Sequence, residues 1–326
     1  MRHRFAAAVL LAAGLILTGS GHAQTKIARV GILMVDLKPT SEQAKKWLEP
    51  FRLTLANQGW IEGTNVSFEY NRATVGPSRF EEAARELVQR KVDVILATSA
   101  PTTRAAYAAT RTIPIIGFDF TNDPVAAGYA ETYGRPGRNL TGIFLDAPEF
   151  AGKWLELLKA MIPELARVAV LWDPAPGPTH LRALQGAARR FGVELRVVEV
   201  QKPEGLNEAF AAFRARPQAL VVLPSPMLFE QSIAVAELAK QHRLAGISMS
   251  PLFAEAGGLM SYGPDLAEVY ERCGILVAKI LRGTKPGDLP IERPARLPLS
   301  INLKTAKALG LTVPDSIQLR ADNVIR

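Results

Sequence analysis

The sequence predicts an α/β protein built as two doubly wound parallel-sheet lobes that are joined by hinge crossings. Short runs of Val, Ile, Leu and Ala alternate with amphipathic helical stretches along most of the chain. Several of these runs are almost continuously apolar, as parallel strands buried on both faces require. A passage rich in glycine and proline, residues 134–142, interrupts the alternation once. We interpret it as a linker between two α/β sets of similar size.

Strands are predicted where β-branched and aliphatic residues run together, and helices where apolar residues recur every three or four positions. The predicted strands are Ala28–Met34, Val66–Tyr70, Val92–Ala97, Ile113–Phe118, Arg167–Trp172, Glu194–Val200, Ala219–Leu223, Gly246–Met249 and Gly258–Tyr262. The predicted helices are Ser41–Gln58, Ser78–Arg90, Pro101–Thr110, Pro148–Met161, Thr179–Phe191, Pro203–Ala215 and Leu228–His242. A further helical pattern runs through Leu266, Val269, Cys273 and Ile280.

The pattern divides the chain into a leader, two lobes and a tail. Residues 1–23 are the leader, 27–142 form lobe I with a return segment at about 264–290, and 143–262 form lobe II. Residues 291–326, rich in proline, are expected to drape across the lobes. Two such lobes make a clamshell, with a ligand cleft between the facing strand ends.

The leader has the features of a secretory signal peptide. Arg2 and Arg4 precede an apolar run, Ala6–Leu17, which is followed by a small polar tail ending at Ala23. The run is shorter than the roughly 20 residues that cross a bilayer. No cysteine stands directly after it, in residues 18–24, to carry a lipid anchor. We therefore expect cleavage after Ala23 and a periplasmic protein without a membrane anchor.

Composition excludes several function classes. The net charge of +8 comes without any block of five or six basic residues, so no nucleic-acid partner is expected. The single cysteine, Cys273, permits no intrachain disulfide, and its helical pattern predicts a buried, inert thiol. His180 and His242 are the histidines that follow the leader, and both fall in surface-helix patterns. No metal site and no cofactor are expected.

The usual catalytic motifs are absent. The sequence has no phosphate-binding G-x-x-x-x-G-K-[ST] loop, and the glycine pair Gly19 and Gly21 lies in the leader. Residues 246–250, GISMS, lack the second glycine of a nucleophile elbow. No catalytic residue is therefore assigned. A secreted α/β enzyme such as an esterase is the least favoured class.

Polar residues that follow the predicted strands are the candidates for ligand contact. Ser99, Ala100 and Thr102 open a helix whose free N–H groups can hold a carboxylate, although Ser99 and Thr102 equally suit helix capping. An aspartate in the cleft suits an ammonium group, and Trp or Tyr suits a planar or apolar side chain. The remaining candidates are Asp36, Asp119, Asp123, Trp172, Asp173, Ser225, Ser248 and Tyr262.

Two of these candidates have a structural alternative. Asp123 precedes a proline and suits a turn, and Trp172 equally suits core packing. The other tryptophans, Trp47, Trp60 and Trp154, are predicted to be structural because they fall in helix or turn contexts.

Residues 28–320 resemble the ABC-transporter substrate-binding proteins of the tryptophan/tyrosine-type periplasmic family. The resemblance is strongest in the C-terminal part and is carried by several co-linear stretches. They are FRLTLANQGWIEGTNVSFEY (51–70), IPIIGFDFTNDPVAAG (113–128), PGRNLTG (136–142), SYGPD (261–265), KILRGTKPGDLPIE (279–292) and LSINLKTAKALGLTVPDSI (299–317).

The resemblance implies a type I periplasmic-binding fold that closes on a small-molecule ligand and delivers it to an ABC permease in the inner membrane. It places ligand contacts at Ser99 and its neighbours, at Asp123, after the strands of lobe II and near Tyr262. Asn122, Arg138 and Asp173 depart from the family pattern, so the resemblance does not fix the ligand as tryptophan or tyrosine. We expect a monomer that binds an amino-acid-like or aromatic/heterocyclic ligand. The alternative is an extracytoplasmic sensing module that feeds a membrane kinase or chemoreceptor.

Overall fold

The structure, a computed structural model, describes residues 27–35, 42–73, 77–145, 147–213 and 217–326. The predicted signal peptide and Asp36 lie outside the described residues. No helix in the described ranges is both long and apolar enough to cross a membrane.

Two sheets form the two lobes. The strands are β1 Ala28–Val35, β2 Val66–Ala73, β3 Val94–Ala97, β4 Ile115–Asp119, β5 Leu140–Phe144, β6 Arg167–Trp172, β7 Glu194–Glu199, β8 Ala219–Val222, β9 Ala245–Ser248, β10 Met260–Tyr262, β11 Leu299–Asn302 and β12 Asn323–Ile325. Lobe I has the order β2-β1-β3-β4-β5, and lobe II has the order β12-β11-β10-β9-β8-β6-β7. These pairings are parallel except for the antiparallel pair of β10 and β11. The predicted pair of parallel-sheet lobes is confirmed.

Helices cover both faces of each sheet. They are α1 Glu42–Asn57, α2 Pro77–Gln89, α3 Ala100–Ala109, α4 Ala147–Met161, α5 Thr179–Phe191, α6 Leu206–Ala211, α7 Pro226–Glu230, α8 Ser232–Gln241, α9 Pro251–Glu255, α10 Leu266–Leu281, α11 Leu303–Leu309 and α12 Asp315–Gln318. Strands β3, β4 and β5 are buried along their whole length, which explains their continuous apolar runs. Helix α10 follows the last parallel strand of lobe II but packs into the core of lobe I, with Cys273 fully buried as predicted.

The chain therefore crosses between the lobes after β5, after β10 and again before β11. The second and third crossings are fastened to each other by ion pairs. Arg272 binds Glu292 through two 2.7 Å hydrogen bonds, and Arg296 contacts Asp265 at 2.6 Å. These pairs are partly exposed, so we attribute to them the alignment of the crossings rather than much stability.

The passage predicted as a linker, residues 134–142, runs into a strand. Strand β5 begins at Leu140 and forms the edge of the lobe I sheet. Its glycine, Gly142, lies opposite Gly117 of β4, where the two backbones approach closely. The glycine is therefore a packing requirement inside the sheet, not a break.

The C-terminal segment begins on lobe I and ends in the sheet of lobe II. The Phe144 N–H donates to the Glu292 carbonyl at 2.9 Å, and the Glu292 N–H donates to the Gly142 carbonyl at 2.9 Å. The segment then supplies β11 and β12, which extend the lobe II sheet beyond β10. These two strands have four and three residues and lie in the proline-rich tail, where the alternation of strand and helix patterns is lost.

Two predicted helices are divided in the structure. The helix predicted at Leu228–His242 is two helices, α7 and α8, that meet at Gln231, and it begins earlier because Ser225 caps α7. The helix predicted at Pro203–Ala215 is a single 3₁₀ turn, Pro203–Gly205, followed by α6. In both cases a proline, Pro226 or Pro203, occupies the first helical position and begins the first segment. The divisions themselves fall at Gln231 and Leu206, where the amphipathic pattern gives no sign of a break.

Candidate functional site

A cavity of about 130 Å³ lies between the lobes, at the carboxyl ends of the parallel strands. Lobe I contributes the end of β1, the start of α3 and the segment after β4. Lobe II contributes the ends of β8 and β9 and the start of α7, and the start of α10 closes one side. The lining residues are Met34, Thr98, Ser99, Ala100, Pro101, Phe118, Phe120, Thr121, Pro176, Pro224, Ser225, Pro226, Phe229, Glu230, Met249, Pro264, Leu266 and Tyr270.

The walls of the cavity are mainly apolar and aromatic. The rings of Phe118 and Phe120 stack with centroids 5.5 Å apart, and the edge of Tyr270 meets Phe118 at 5.3 Å. Phe229 and Met249 lie on the lobe II side. Such a surface suits a planar or apolar group, because aromatic side chains bury large areas with defined geometry.

A few polar groups are set into these walls at two helix starts. Ser99 caps α3: its Oγ shares a 2.9 Å hydrogen bond with Thr102 Oγ1 and accepts a long one, 3.5 Å, from the Thr102 N–H. Ser225 caps α7, its Oγ accepting from the Leu228 N–H at 2.9 Å. Both serines are thus helix caps and also face the cavity, so ligand contact remains a prediction for them. Glu230 supplies a carboxylate to the wall.

The structure brings together only some of the predicted ligand residues. Ser99, Ala100 and Ser225 line the cavity. Thr102, in the first turn of α3, and Ser248, at the end of β9, are buried. Trp172 and Tyr262 pack against the core of lobe II. Asp123 caps a turn, accepting from the N–H groups of Val125 and Ala126 at 2.7 and 3.1 Å. For these residues the structure shows a local packing or turn role.

Asp119 is the most deeply buried of the predicted aspartates, with no exposed surface. Its carboxylate accepts from the Thr121 N–H at 2.7 Å, the Asn122 N–H at 3.1 Å and the Asn122 side-chain amide at 2.7 Å. Burial nevertheless raises the pKa of Asp119 to about 6, because the desolvation of its charged form outweighs these hydrogen bonds. The carboxylate holds the turn that carries Phe120 into the cavity wall.

Asp173 plays the corresponding part in lobe II. Its side chain accepts from the Ala175 N–H at 3.0 Å, and burial raises its pKa above the ordinary value. A hydrogen bond from Ser225 partly opposes that rise. The two aspartates thus each cap a short turn, one on either side of the cavity, and neither lines it.

The prediction that His180 lies on the surface of a helix is wrong. His180 is 3% exposed, and its Nε2 lies 2.7 Å from the Phe120 carbonyl of lobe I. A carbonyl can only accept, so Nε2 carries the hydrogen and Nδ1 is an acceptor that has no partner in the structure. With the Trp154 ring 6.0 Å away, burial lowers the pKa of His180 to about 4.

The aromatic wall was missed by the sequence analysis. Phe118 and Phe120 alternate with Asp119 at the end of a strand, and this spacing points both rings the same way. This alternation at a strand end is the sequence feature from which an aromatic wall facing the cleft could have been predicted. Phe229 and Glu230 gave no signal, because they fall inside a pattern that predicted one continuous helix.

The buried imidazole predicts an acid-dependent stability. The folded chain keeps His180 neutral down to about pH 4, whereas the unfolded chain protonates it near pH 6.5. The free energy of unfolding therefore falls between pH 6.5 and pH 4, by roughly 3 kcal/mol from this group. We expect the difference in free energy of unfolding between wild type and His180→Gln to shrink as the pH falls through this range. Urea unfolding at pH 4–7.5 measures it.

Asp119 contributes with the opposite sign. Because its pKa is raised, the folded chain takes up a proton near pH 6, before the unfolded chain does, and this stabilises the folded state as the pH falls. Asp119 is present in both proteins, so its contribution cancels in the difference between them. If the difference in free energy of unfolding between wild type and His180→Gln stayed constant from pH 7.5 to pH 4, the assignment of a neutral buried imidazole would be contradicted.

Two hinged parallel-sheet lobes around a shared cavity define the class of two-lobed solute-binding proteins. Within that class, residues 43–325 match the family described as ABC transporter substrate binding protein, and the chain belongs to that family. The family is one of substrate-binding proteins, so this chain has a binding role and is not an enzyme.

Relatives of known structure or binding activity share this organisation. The chain is 26% identical over 303 residues to a tyrosine-binding protein of Clostridioides difficile, covering 92% of this chain and 84% of the relative. It is similar to the structure of a conserved domain protein from Vibrio cholerae, with a TM-score of 0.81, 26% identity and coverage of 92% and 100% of the two chains. It also matches an ABC domain in complex with L-Trp from Streptococcus pneumoniae, with a TM-score of 0.80, 21% identity and coverage of 91% and 99%.

Proposed function

We propose that this protein is the periplasmic solute-binding component of an ABC importer, acting as a monomer after cleavage of its signal peptide at Ala23. It captures an amino-acid-like ligand with an aromatic or heterocyclic side chain and delivers it to an inner-membrane permease. The observation that carries this proposal is the cavity between the lobes, with a stacked aromatic wall and a helix start facing the same space.

Each part of such a ligand has a matching surface. A ring would pack against Phe118, Phe120 and Phe229. A carboxylate would be stabilised at the start of α3, where the Ser99 hydroxyl and the Ala100 N–H meet the positive end of the helix dipole. Pro101 has no N–H, and the Thr102 N–H is capped by Ser99. An ammonium group would pair with Glu230. The relatives named for tyrosine and for L-Trp support this class of ligand.

Capture would proceed by hinge closure. The ligand binds the open cleft on one lobe, and the second lobe then rotates about the three crossings to cover it. A ligand stabilises the closed form only through contacts that it makes in that form alone. Residues from both lobes line the cavity, so the closed form supplies such contacts.

The test is ligand-dependent stabilisation of the purified mature protein. We expect at least one aromatic amino acid or related heterocycle to raise the free energy of unfolding, by about 2.7 kcal/mol at a ligand concentration of 100 Kd. Thermal unfolding with a panel of amino acids and heterocycles measures this, and titration calorimetry gives Kd. No stabilisation by any member of the panel would overturn the proposal.

A matched pair of variants locates the site. Phe229→Ala removes part of the cavity wall and should weaken binding by about tenfold or more, the equivalent of losing a buried aromatic contact. Ile233→Ala removes an apolar side chain that is 60% exposed on the neighbouring helix α8, and should leave Kd unchanged. Equal effects of the two substitutions would place the ligand elsewhere.

A further inference from the structure

The segment that leads from the end of β6 into the first turn of α5, residues 173–180, reaches across from lobe II to lobe I. We call it the proline loop, since its sequence is DPAPGPTH. It contacts lobe I at two points: Arg104 of α3 donates from Nη2 to the Ala175 carbonyl at 3.2 Å, and His180 donates from Nε2 to the Phe120 carbonyl at 2.7 Å. Both hydrogen bonds therefore join one lobe to the other.

The proline loop has a fixed shape within its own lobe. Three prolines restrict its backbone, and Asp173 holds the Ala175 N–H at 3.0 Å. The Gly177 N–H closes a turn on the Pro174 carbonyl at 2.9 Å. The Ala175 carbonyl is therefore presented to Arg104 with little further loss of backbone entropy.

The lobe I side of the contact is fixed as well. Asp119 ties down the two backbone N–H groups that follow Phe120, which sets the direction of the Phe120 carbonyl. The positive charge of Arg104 acts on the same carboxylate. Two preorganised turns thus meet across the cleft, each built on a buried aspartate.

The two donors lie beside the cavity rather than in it. Neither Arg104 nor His180 lines the cavity, whereas their neighbours Phe120 and Pro176 do. The hydrogen bonds they form join protein to protein, so their contribution to closure does not require a ligand.

We propose that Arg104 and His180 form a clasp that holds the lobes together and sets the rate at which they open. Because the clasp acts without ligand, the empty protein populates the closed form to a measurable extent. Ligand release is slowed by the same contacts. This last part rests on the proposed function, whereas the closed population of the empty protein does not.

The test measures the distance between the lobes in the ligand-free protein. Cysteines introduced at the exposed positions Gln89 of α2 and Gln185 of α5 carry spin labels, and Cys273, which is fully buried, stays unlabelled. Double electron–electron resonance then gives the distance distribution. We expect a short and a long population in wild type, and a shift toward the long one by about three- to tenfold in Arg104→Ala, the effect of losing one exposed hydrogen bond of ordinary strength.

Matched variants separate the clasp from a general effect of charge. Arg85→Ala removes another exposed arginine, which is paired with Glu81 inside α2, and should leave the distribution unchanged. The double variant, His180→Phe with Arg104→Ala, should shift the distance distribution further toward the long population than Arg104→Ala alone. If His180→Phe does not fold, the surface variant Arg104→Ala decides alone. A wild-type distribution without a short population, or the same distribution in Arg104→Ala and Arg85→Ala, would overturn the clasp.

Ligand dissociation tests the second part. With a ligand found in the panel above, the dissociation rate from Arg104→Ala should rise by a similar factor, as measured by stopped-flow displacement. If a ligand binds but dissociates equally fast from both proteins, the clasp does not control release, although the proposed function stands. If no ligand binds, the proposed function fails while the ligand-free distances still decide the clasp.

Discussion

Replacing Gly142 with alanine is expected to prevent lobe I from reaching its native fold. Gly142 has a φ of +146° and pairs with Gly117 across β4 and β5, where a Cβ atom would lie 1.8 Å from the Gly117 carbonyl oxygen. That distance is far inside van der Waals contact, and the clashing atom is backbone, so the two strands must separate. The expected loss is about 4 kcal/mol or more.

The matched control is Gly59→Ala. Gly59 also has a positive φ, +87°, but an added Cβ would meet no atom within 4 Å. Backbone strain alone then applies, at about 1 kcal/mol. Urea unfolding followed by circular dichroism compares the two variants. If Gly142→Ala were no less stable than Gly59→Ala, the close approach of β4 and β5 would be disproved.

Replacing Trp154 with alanine is expected to destabilise lobe II by about 3–5 kcal/mol, the usual cost of removing a buried aromatic side chain. Trp154 lies on α4 and is completely buried. Its Nε1 donates to the Tyr262 carbonyl at 3.0 Å, at the point where the chain leaves β10 for the second crossing. Its ring also faces those of Phe150 and His180 at 5.7 and 6.0 Å. The substitution therefore removes packing in the core of lobe II and the hydrogen bond to Tyr262 at the second crossing. It also removes the ring that packs beside His180.

Trp154→Phe separates these contributions. Phenylalanine keeps most of the aromatic packing but leaves the Tyr262 carbonyl without its donor, at a cost of about 1–3 kcal/mol. We expect its stability to lie between those of wild type and Trp154→Ala, as measured by urea unfolding at pH 7. Equal stabilities of Trp154→Phe and Trp154→Ala would show that the hydrogen bond, rather than the packing, accounts for the whole effect and would contradict the argument from burial.

The sequence was informative about the fold wherever burial alone decides the structure. Val94–Ala97 and Ala219–Val222 are continuously apolar because helices cover both faces of each sheet, and the two parallel lobes follow from that pattern. Strand β5 escaped prediction because Gly142 serves a contact with another strand, which no local rule represents. Strands β11 and β12 escaped because they lie in the proline-rich C-terminal segment, outside the alternation of strand and helix patterns that identified equally short strands such as β10.

The site was less predictable, for a physical reason that Asp119 and Asp173 illustrate. Both follow or end strands at the cleft, as ligand-binding residues do, yet each is occupied by the backbone N–H groups of its own turn. An Asx turn and a ligand contact both favour an aspartate directly after a strand, so the sequence alone does not distinguish the two roles. His180 shares the buried face of α5 with Leu184 and Ala188, so its burial follows from the helical period. Its hydrogen-bond partner, the Phe120 carbonyl, lies in the other lobe, and no local pattern shows that contact.

The position of α10, β11 and β12 within the chain has a consequence for how the protein assembles. Lobe I lacks the helix that fills one face of its sheet until residue 281 has been made, and the lobe II sheet gains its last two strands from residues 299–325. A chain synthesised from its N-terminus therefore completes neither hydrophobic core until nearly all of it is present. Contacts between residues so distant in sequence also form slowly. For the exported protein that we propose, this order of assembly delays folding, and a delay favours passage through the membrane before the cores form.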